Sequence, residues 1–453
     1  MNRRSVLKSS VAAGLLAPLS GCVTGPSPVS ERAESPDLVG QAFLYGFPLY
    51  EFSRTTAART VRRPRNVLGG SAKLLDHTAR GTTAPNSDTI YSPAFLELSG
   101  GPIEVIVPDA PERYFSVPFM NAFTDNFVVL GTRNTDGMGG RYWVVGPEWT
   151  GEAPAGVELI RSDTNDVWML ARFLVDGPDD LEAARAVQSR LRVEPVRDRG
   201  PVRNIRMAPL SAGSPVHFLD VINELLGHSP VTLGQAKRAE RYAEVGIRPG
   251  EYGVWHTLPF RIRDEWSVRF PEMLSGLRRE DDYLLPARNG WRAAPAQVGN
   301  YGDNDALRAG VARWMLAAMP SEEVTYFRAN LDSDGNLLNG QNAYRFLIPP
   351  DGMPVDAFWS MTMYREADDG RFYMIDNPIS RYAIGDRTPD LVRQQDGSVL
   401  ISVQAEKPNG AAAGNWLPAP EGPFMLFFRA YIPRPEILEG RWSPPALVRG
   451  HPA

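Results

Sequence analysis

Short apolar runs broken by turn residues dominate two stretches of the chain. In the first, segments 94–98, 103–107, 114–120, 126–131, 141–145, 157–160 and 167–174 are rich in β-branched and aromatic residues, with Gly, Pro, Asp and Asn between them. That spacing predicts strands. The run 167–174 is apolar almost throughout and predicts a strand buried on both faces. Arg172 interrupts it. A guanidinium there needs a carboxylate or carbonyl partner, and pairing with an acidic residue is the expected outcome. A helical period then sets in over 179–191, 216–226, 233–245, 266–277 and 304–318. From about Thr325 the strand pattern returns at 344–348, 357–364, 372–375, 399–405 and 424–431. Asp396-Gly397 marks a hairpin turn among these strands. Near the start, Asp37 is placed to cap a helix running to about Ala58, with Val39, Ala42, Phe43, Gly46 and Phe47 on one side. Pro48 within it predicts a kink or a restart. The pattern predicts a mainly β (α+β) fold of two antiparallel β-sandwich or jelly-roll-like modules with a helical middle region. The expected divisions are 37–199, 200–324 and 325–453.

Residues 1–22 follow a different rule. Arg3, Arg4 and Lys8 precede an apolar run from Val11 to Leu19, and Leu19-Ser20-Gly21-Cys22 follows. This is the layout of a lipoprotein signal peptide ending in a lipobox, with Cys22 as the lipidated residue. The apolar run falls well short of the about 20 residues that span a bilayer. Arg3-Arg4 also resembles a twin-arginine signal, which implies export of a folded protein. Residues 23–36, rich in Pro, Ser and Glu, read as a flexible tether. The expectation is an exported protein, lipid-anchored to the cell envelope and facing the periplasm.

Composition narrows the chemistry. Of 453 residues, 43% are hydrophobic and 22% charged, which is ordinary for a large globular chain. A net charge of -5 gives no long-range attraction for nucleic acid. The only Cys is Cys22, so the mature fold has no disulfide, thiol nucleophile or thiolate metal ligand. No Gly-x-Ser-x-Gly elbow, P-loop or strand-following GxGxxG occurs. His217, His228 and His256 are not spaced as a compact ligand set and read as structural or exposed rather than as metal ligands.

What remains is carboxylates, amides, arginines and aromatics gathered in three runs: Ala84 to Ser92, Asp376 to Tyr382, and Asn415 to Pro420. Such groups grip and hydrolyse polar substrates. Carboxylate pairs do acid–base work, aromatic faces stack on sugar rings, and Asn and Arg bind hydroxyls and acidic substituents. Asp88, Asp125, Arg381 and Tyr382 are the catalytic candidates. Asn86, Tyr91, Tyr344, Trp359, Asn377, Asn415, Trp416 and Arg429 are the candidate ligand contacts. Oxygen ligands at Asp88 and Asp125 also suit a divalent metal ion. Asn86, Asp88 and Asp125 fit Asx turns equally well, and all three runs fit staples that hold Pro-rich loops by side-chain-to-backbone bonds. Two functions stay open: an envelope hydrolase of a glycan or similar polar substrate in an inter-module cleft, and a non-catalytic ligand-binding or assembly lipoprotein.

The chain resembles a family of exported two-module proteins, DUF1254 followed by DUF1214. The first module matches at Tyr45-Gly46-Phe47-Pro48, Asn86-Ser87-Asp88-Thr89-Ile90-Tyr91-Ser92, Arg113-Tyr114 and Asp125-Asn126-Phe127. Ser87 stands where the family's Pro-Asn-Asn-Asp-Thr run has its second Asn. The second module matches at Phe358-Trp359-Ser360, Asp376-Asn377-Pro378, Arg381-Tyr382, Asp396-Gly397-Ser398, Asn415 to Pro420 and Arg429-Ala430-Tyr431. The resemblance implies two β-sandwich-like modules with helical additions, often as homo-oligomers, and supplies no activity.

Overall fold

The computed structural model describes residues 37–196, 200–206, 214–277, 283–368, 370–389 and 391–450. The expected signal peptide, the expected tether and Cys22 lie outside the described residues. The architecture is mainly β with added helices. Two four-stranded sheets form the first module. One runs in the order Thr89–Glu97, Asp166–Leu174, Phe115–Asn121, Asn126–Gly131, and is antiparallel throughout. The other runs Glu158–Arg161, Gly140–Val145, Ile103–Val107, Arg192–Pro195, with a parallel first pair. Ile90, Leu96, Val105, Phe115, Val144 and Met169 from both sheets fill one core, as in a β-sandwich.

The second module repeats the architecture. Phe372–Met374, Val355–Glu366, Met425–Pro433, Val324–Ala329 and Trp291–Ala293 form one sheet, with Ala383–Gly385 also pairing with Val355–Glu366. Trp416–Pro418, Val399–Gln404, Ala343–Ile348 and Val448–Gly450 form the other. Trp291, Phe346, Ile401, Leu417, Leu426 and Phe428 share the core between them. Trp291–Ala293 falls inside the span read as helical yet completes this sheet. Trp416–Pro418 is a strand inside a run read as a loop, parallel to Val399–Gln404. Its Pro418 sits at the sheet's edge, where its missing N–H costs least.

The helix Leu38–Thr60 runs through Pro48 without a restart. Proline removes one backbone hydrogen bond, but this helix is buried on nearly every side, and packing outweighs that loss. It packs with Pro215–Leu226, Phe260–Gly276 and Asp305–Trp314. Phe43 contacts Phe47, Phe218 and Phe270 with ring centroids 5.5–5.7 Å apart. This first helix therefore sits with the helical region rather than with the sandwich that follows it. The span 233–245 is a short helix, Gly234–Lys237, continued by a 3-10 segment, Arg238–Val245.

The period of two along the inner strands decides what faces the seam between the modules. Val167, Met169, Ala171 and Phe173 point into the first sandwich, while Trp168 packs on the helical core. Arg172 shares the second face. In Met425–Pro433, Leu426, Phe428 and Ala430 point into the second sandwich, and Phe427 and Tyr431 lie on the opposite face with Arg429. Tyr114, Leu174, Met319, Val324, Phe358 and Tyr431 form an apolar patch across the seam. Phe358 stacks on Tyr431 with centroids 3.9 Å apart, and Tyr114 meets both edge-on at 5.3 Å.

Candidate functional site

The segment 82–88 of the first module is gripped by the second. Its backbone joins Phe372 through the Ala84 N–H (2.9 Å) and accepts from Arg429 at the Ala84 carbonyl (2.7 Å). The Pro85 carbonyl accepts from the Tyr364 hydroxyl at 2.5 Å. Asn86 then ties the turn. Its Oδ1 accepts from the Asp88 N–H, the Thr89 N–H and the Thr89 hydroxyl at 3.1–3.2 Å, and its Nδ2 donates to the Tyr431 hydroxyl at 3.1 Å. Asn86 is thus a staple and a link between modules at once. The turn presents the Asp88 carboxylate to the partner sheet, where it accepts from the Ser360 hydroxyl at 2.7 Å.

Ser87 and Asp88 form one wall of a cleft of about 690 Å³, within the range of small-molecule sites. Leu174, Val175 and Leu181 continue the first-module side. Trp359, Ser360 and Ile379 to Tyr382 form the opposing wall, and Lys73 to Asp76 lie at the rim with Arg387. Trp359 is held flat against Phe428, centroids 5.5 Å apart and planes within 11°. The strand Ala383–Gly385 approaches this wall closely because Gly385 has no side chain. A Cβ there would lie 2.3 Å from the Trp359 carbonyl oxygen.

Around Asp376 to Tyr382 the chain winds about Asn377. Its Oδ1 accepts from the Arg381 N–H at 3.0 Å, and its Nδ2 donates to the Arg381 and Ile375 carbonyls. These bonds hold Ser380 at φ 51, a left-handed conformation that non-glycine residues seldom adopt. The Arg381 guanidinium donates to the Gly414 and Trp416 carbonyls at 2.8 Å, which joins this run to the Asn415 run. The Tyr382 hydroxyl meets His77 Nδ1 at 2.8 Å, and Asp376 lies 3.5 Å from the same nitrogen.

The electrostatics single out two carboxyls. Burial pushes Asp88 above the usual carboxylate range, against the opposing effects of the Ser360 hydroxyl and the Arg429 charge. Asp386 is an exposed residue, yet the protein around its carboxyl and, to a lesser degree, the charge of Asp88 raise it to about 6. The Trp359 N–H (3.2 Å) and Arg387 pull the other way. At the rim, hydrogen bonds from Lys73 and Thr78 hold Asp76 well below the usual range. Asp88 and Asp76 thus line the same cleft with their carboxyls shifted in opposite directions, and Asp386 flanks it between Gly385 and Arg387.

The sequence candidates divide into groups. Asp88, Trp359, Arg381 and Tyr382 share the cleft. Asn86, Tyr91 and Arg429 line a smaller cavity on the other side of the Asn86 turn. Tyr344 is buried in the second sandwich with its hydroxyl on Asn339. Asn377, Asn415 and Trp416 bond to backbone groups; Trp416 donates to the Gln404 carbonyl, and Asn415 joins Val392 and Leu400. Asp125 does not line the cleft with Asp88. It pairs with the buried Arg308 at 2.5 Å and accepts from the Tyr301 N–H, which corrects the idea of a metal held jointly by Asp88 and Asp125. Among the described residues, no cluster of His, Cys, Asp or Glu is arranged to hold a metal ion. Arg172 donates to the Leu170 and Ala317 carbonyls rather than to a carboxylate, contrary to the expected ion pair. His228 does pair, with the buried Asp166 at 3.0 Å, and Asp166 also binds Arg65. Asp386 and His77 escaped the sequence reading. The one available signal for Asp386 was its place directly after a short β-like run.

The chain carries the module described as Protein of unknown function (DUF1254) over residues 65–195 and that described as Protein of unknown function (DUF1214) over residues 323–435. It is similar to the crystal structure of the VPA0106 protein from Vibrio parahaemolyticus, with 22% identity and a TM-score of 0.71 over 92% of this chain and 99% of that one. That likeness shows a shared fold. An uncharacterised protein from Burkholderia cenocepacia aligns over 92% of this chain and 91% of its own at 14% identity and a TM-score of 0.44. No curated protein matches the chain.

Proposed function

We propose that this two-module chain, DUF1254 followed by DUF1214, is a hydrolase of the cell envelope that acts on a glycan or similar polar substrate in its inter-module cleft. The observation that carries this reading is the Asp88 carboxyl. It is set into the cleft by a turn from one module, bonded to Ser360 of the other, and driven toward its protonated form. A carboxyl that holds its proton more tightly than an exposed one is suited to donate it to a leaving oxygen. Asp386, which lies between the cleft-lining Gly385 and Arg387 and feels the Asp88 charge, is the candidate for the second carboxyl. Lys73 and Arg387 place positive charge near acidic substituents. The signal-like N-terminus supports export and a lipid anchor at Cys22.

Turnover of a panel of 4-nitrophenyl glycosides and uronides by the full chain tests this. Asp88→Asn is expected to lower turnover at least 100-fold, the scale of general acid catalysis, with the fold intact by circular dichroism. Undiminished turnover in Asp88→Asn would end the assignment. A second reading, ligand binding without chemistry, is favoured by the backbone bonds that occupy Asn377, Asn415 and the Arg381 guanidinium. It predicts saturable binding of the same compounds with no release of nitrophenol.

A further inference from the structure

Behind the Asn86 turn, on the side away from the cleft, lies a cavity of about 70 Å³. It lies between the facing sheets of the two modules, with segments 82–86 and 315–319 completing its walls. Tyr91 and Arg172 come from the first, and Tyr326, Arg429 and Tyr431 from the second. A volume of this size accommodates several waters or one small polyatomic ion.

The lining is donor-rich and positively charged. Arg172 and Arg429 are both buried, at 6% and 5% exposure. Arg172 bonds to the Leu170 and Ala317 carbonyls, and Arg429 to the Thr362 hydroxyl and the Ala84 carbonyl. Those acceptors are neutral. Among the described residues no carboxylate lies within ion-pair distance of either guanidinium. Asp88 and Glu323 act on them only at longer range, and each is already bonded elsewhere, Asp88 to Ser360 and Glu323 to Arg133 and Tyr114. Arginine does not shed its proton, so two positive charges stay in the protein interior. Burying charge without a counter-charge is costly.

The tyrosines add to the imbalance. Tyr91 accepts from the Asn86 N–H, Tyr431 from the Asn86 side chain, and Tyr326 from the Met319 N–H at 3.0 Å. Each hydroxyl thus takes a hydrogen bond from the protein and still holds its own proton to give. Burial keeps Tyr326 and Tyr431 protonated. Two guanidiniums and three hydroxyl protons therefore surround one small space.

We infer that this cavity is a binding site for a small oxyanion, a carboxylate or phosphate group, held between Arg172 and Arg429 with the tyrosine hydroxyls as further donors. The inference is independent of the chemistry assigned to the cleft. A bound anion would join the two modules at the centre of their seam, so its occupancy would show as stability.

The test is the melting temperature of the full chain, titrated separately with sodium acetate and sodium phosphate against sodium chloride at matched ionic strength. The expected result is a saturable rise with one oxyanion or both that chloride does not reproduce, because binding to the folded state alone raises its stability. Acetate acting more strongly identifies a carboxylate site, and phosphate acting more strongly a phosphate site. Arg172→Gln is expected to weaken the response at least tenfold. Tyr326→Phe, a milder change, is expected to weaken it several-fold and covers the case in which Arg172→Gln does not fold. Equal responses to all three salts, or an unchanged oxyanion response in Tyr326→Phe and in any folded Arg172→Gln, would overturn the inference.

Discussion

Replacing Asn86 with Ala probes the joint between the modules and the placement of Asp88 together. The substitution removes four hydrogen bonds made by one buried side chain. At about 1 kcal/mol each the net loss would approach 4 kcal/mol, and the stranded N–H groups of Asp88 and Thr89 add a desolvation cost unless water reaches them. Some water entry is expected beside a cleft, so the predicted destabilisation is about 3–4 kcal/mol. Urea denaturation followed by tryptophan fluorescence measures it as a fall in midpoint at unchanged slope, since the surface exposed on unfolding stays the same. A double-mutant cycle with Tyr431→Phe isolates the bond across the seam, with an expected coupling of about 1 kcal/mol. Proposed turnover should fall as well, because the turn that aims Asp88 is no longer fixed. A loss below about 1 kcal/mol, or no coupling to Tyr431, would refute the claim that Asn86 holds this turn to the second module.

Other substitutions separate scaffold from site. Arg308→Met leaves Asp125 without its buried partner and should cost about 3–5 kcal/mol by chemical denaturation, while turnover per folded molecule stays near that of the parent. Asp88→Asn should raise the melting temperature at pH 7. The Asp88 pKa is higher in the fold than in the unfolded chain, so its ionised form opposes folding, and the amide removes that penalty. Asp386, raised to about 6, binds more proton folded than unfolded between about pH 4 and that value. Its contribution to stability therefore falls as pH rises through this window, and Asp386→Asn should flatten that part of the stability–pH curve.

The strands of both sandwiches were legible because alternation and turn residues are local signals. Segments 103–107 and 126–131 were placed to the residue, and the buried run at 167–174 proved central in its sheet. Among the strands that escaped, Trp291–Ala293, Ala383–Gly385 and Trp416–Pro418 are three residues long and owe their conformation to longer partners elsewhere in the chain. The site was half legible for a related reason. Asp88 and Asp125 give the same local signal of a carboxylate beside an Asn in a turn. What separates them is the partner that folding brings: Ser360 for one, and Arg308 for the other. Those residues lie 272 and 183 positions away in sequence, beyond any local pattern. Arg172 was flagged correctly as unusual for a strand interior. Its neutral partners are a carbonyl of its own strand, Leu170, and the Ala317 carbonyl 145 positions on, which no pattern within the strand specifies.

The proposed acid–base role of Asp88 and Asp386 is tested most directly by the pH dependence of kcat/KM on a turned-over 4-nitrophenyl glycoside, measured between pH 4 and pH 8 for the wild type and Asp386→Asn. The account predicts a rate that rises through about pH 6 as Asp386 ionises, with this limb lost in the variant. A flat profile, or the same limb in both proteins, would contradict it.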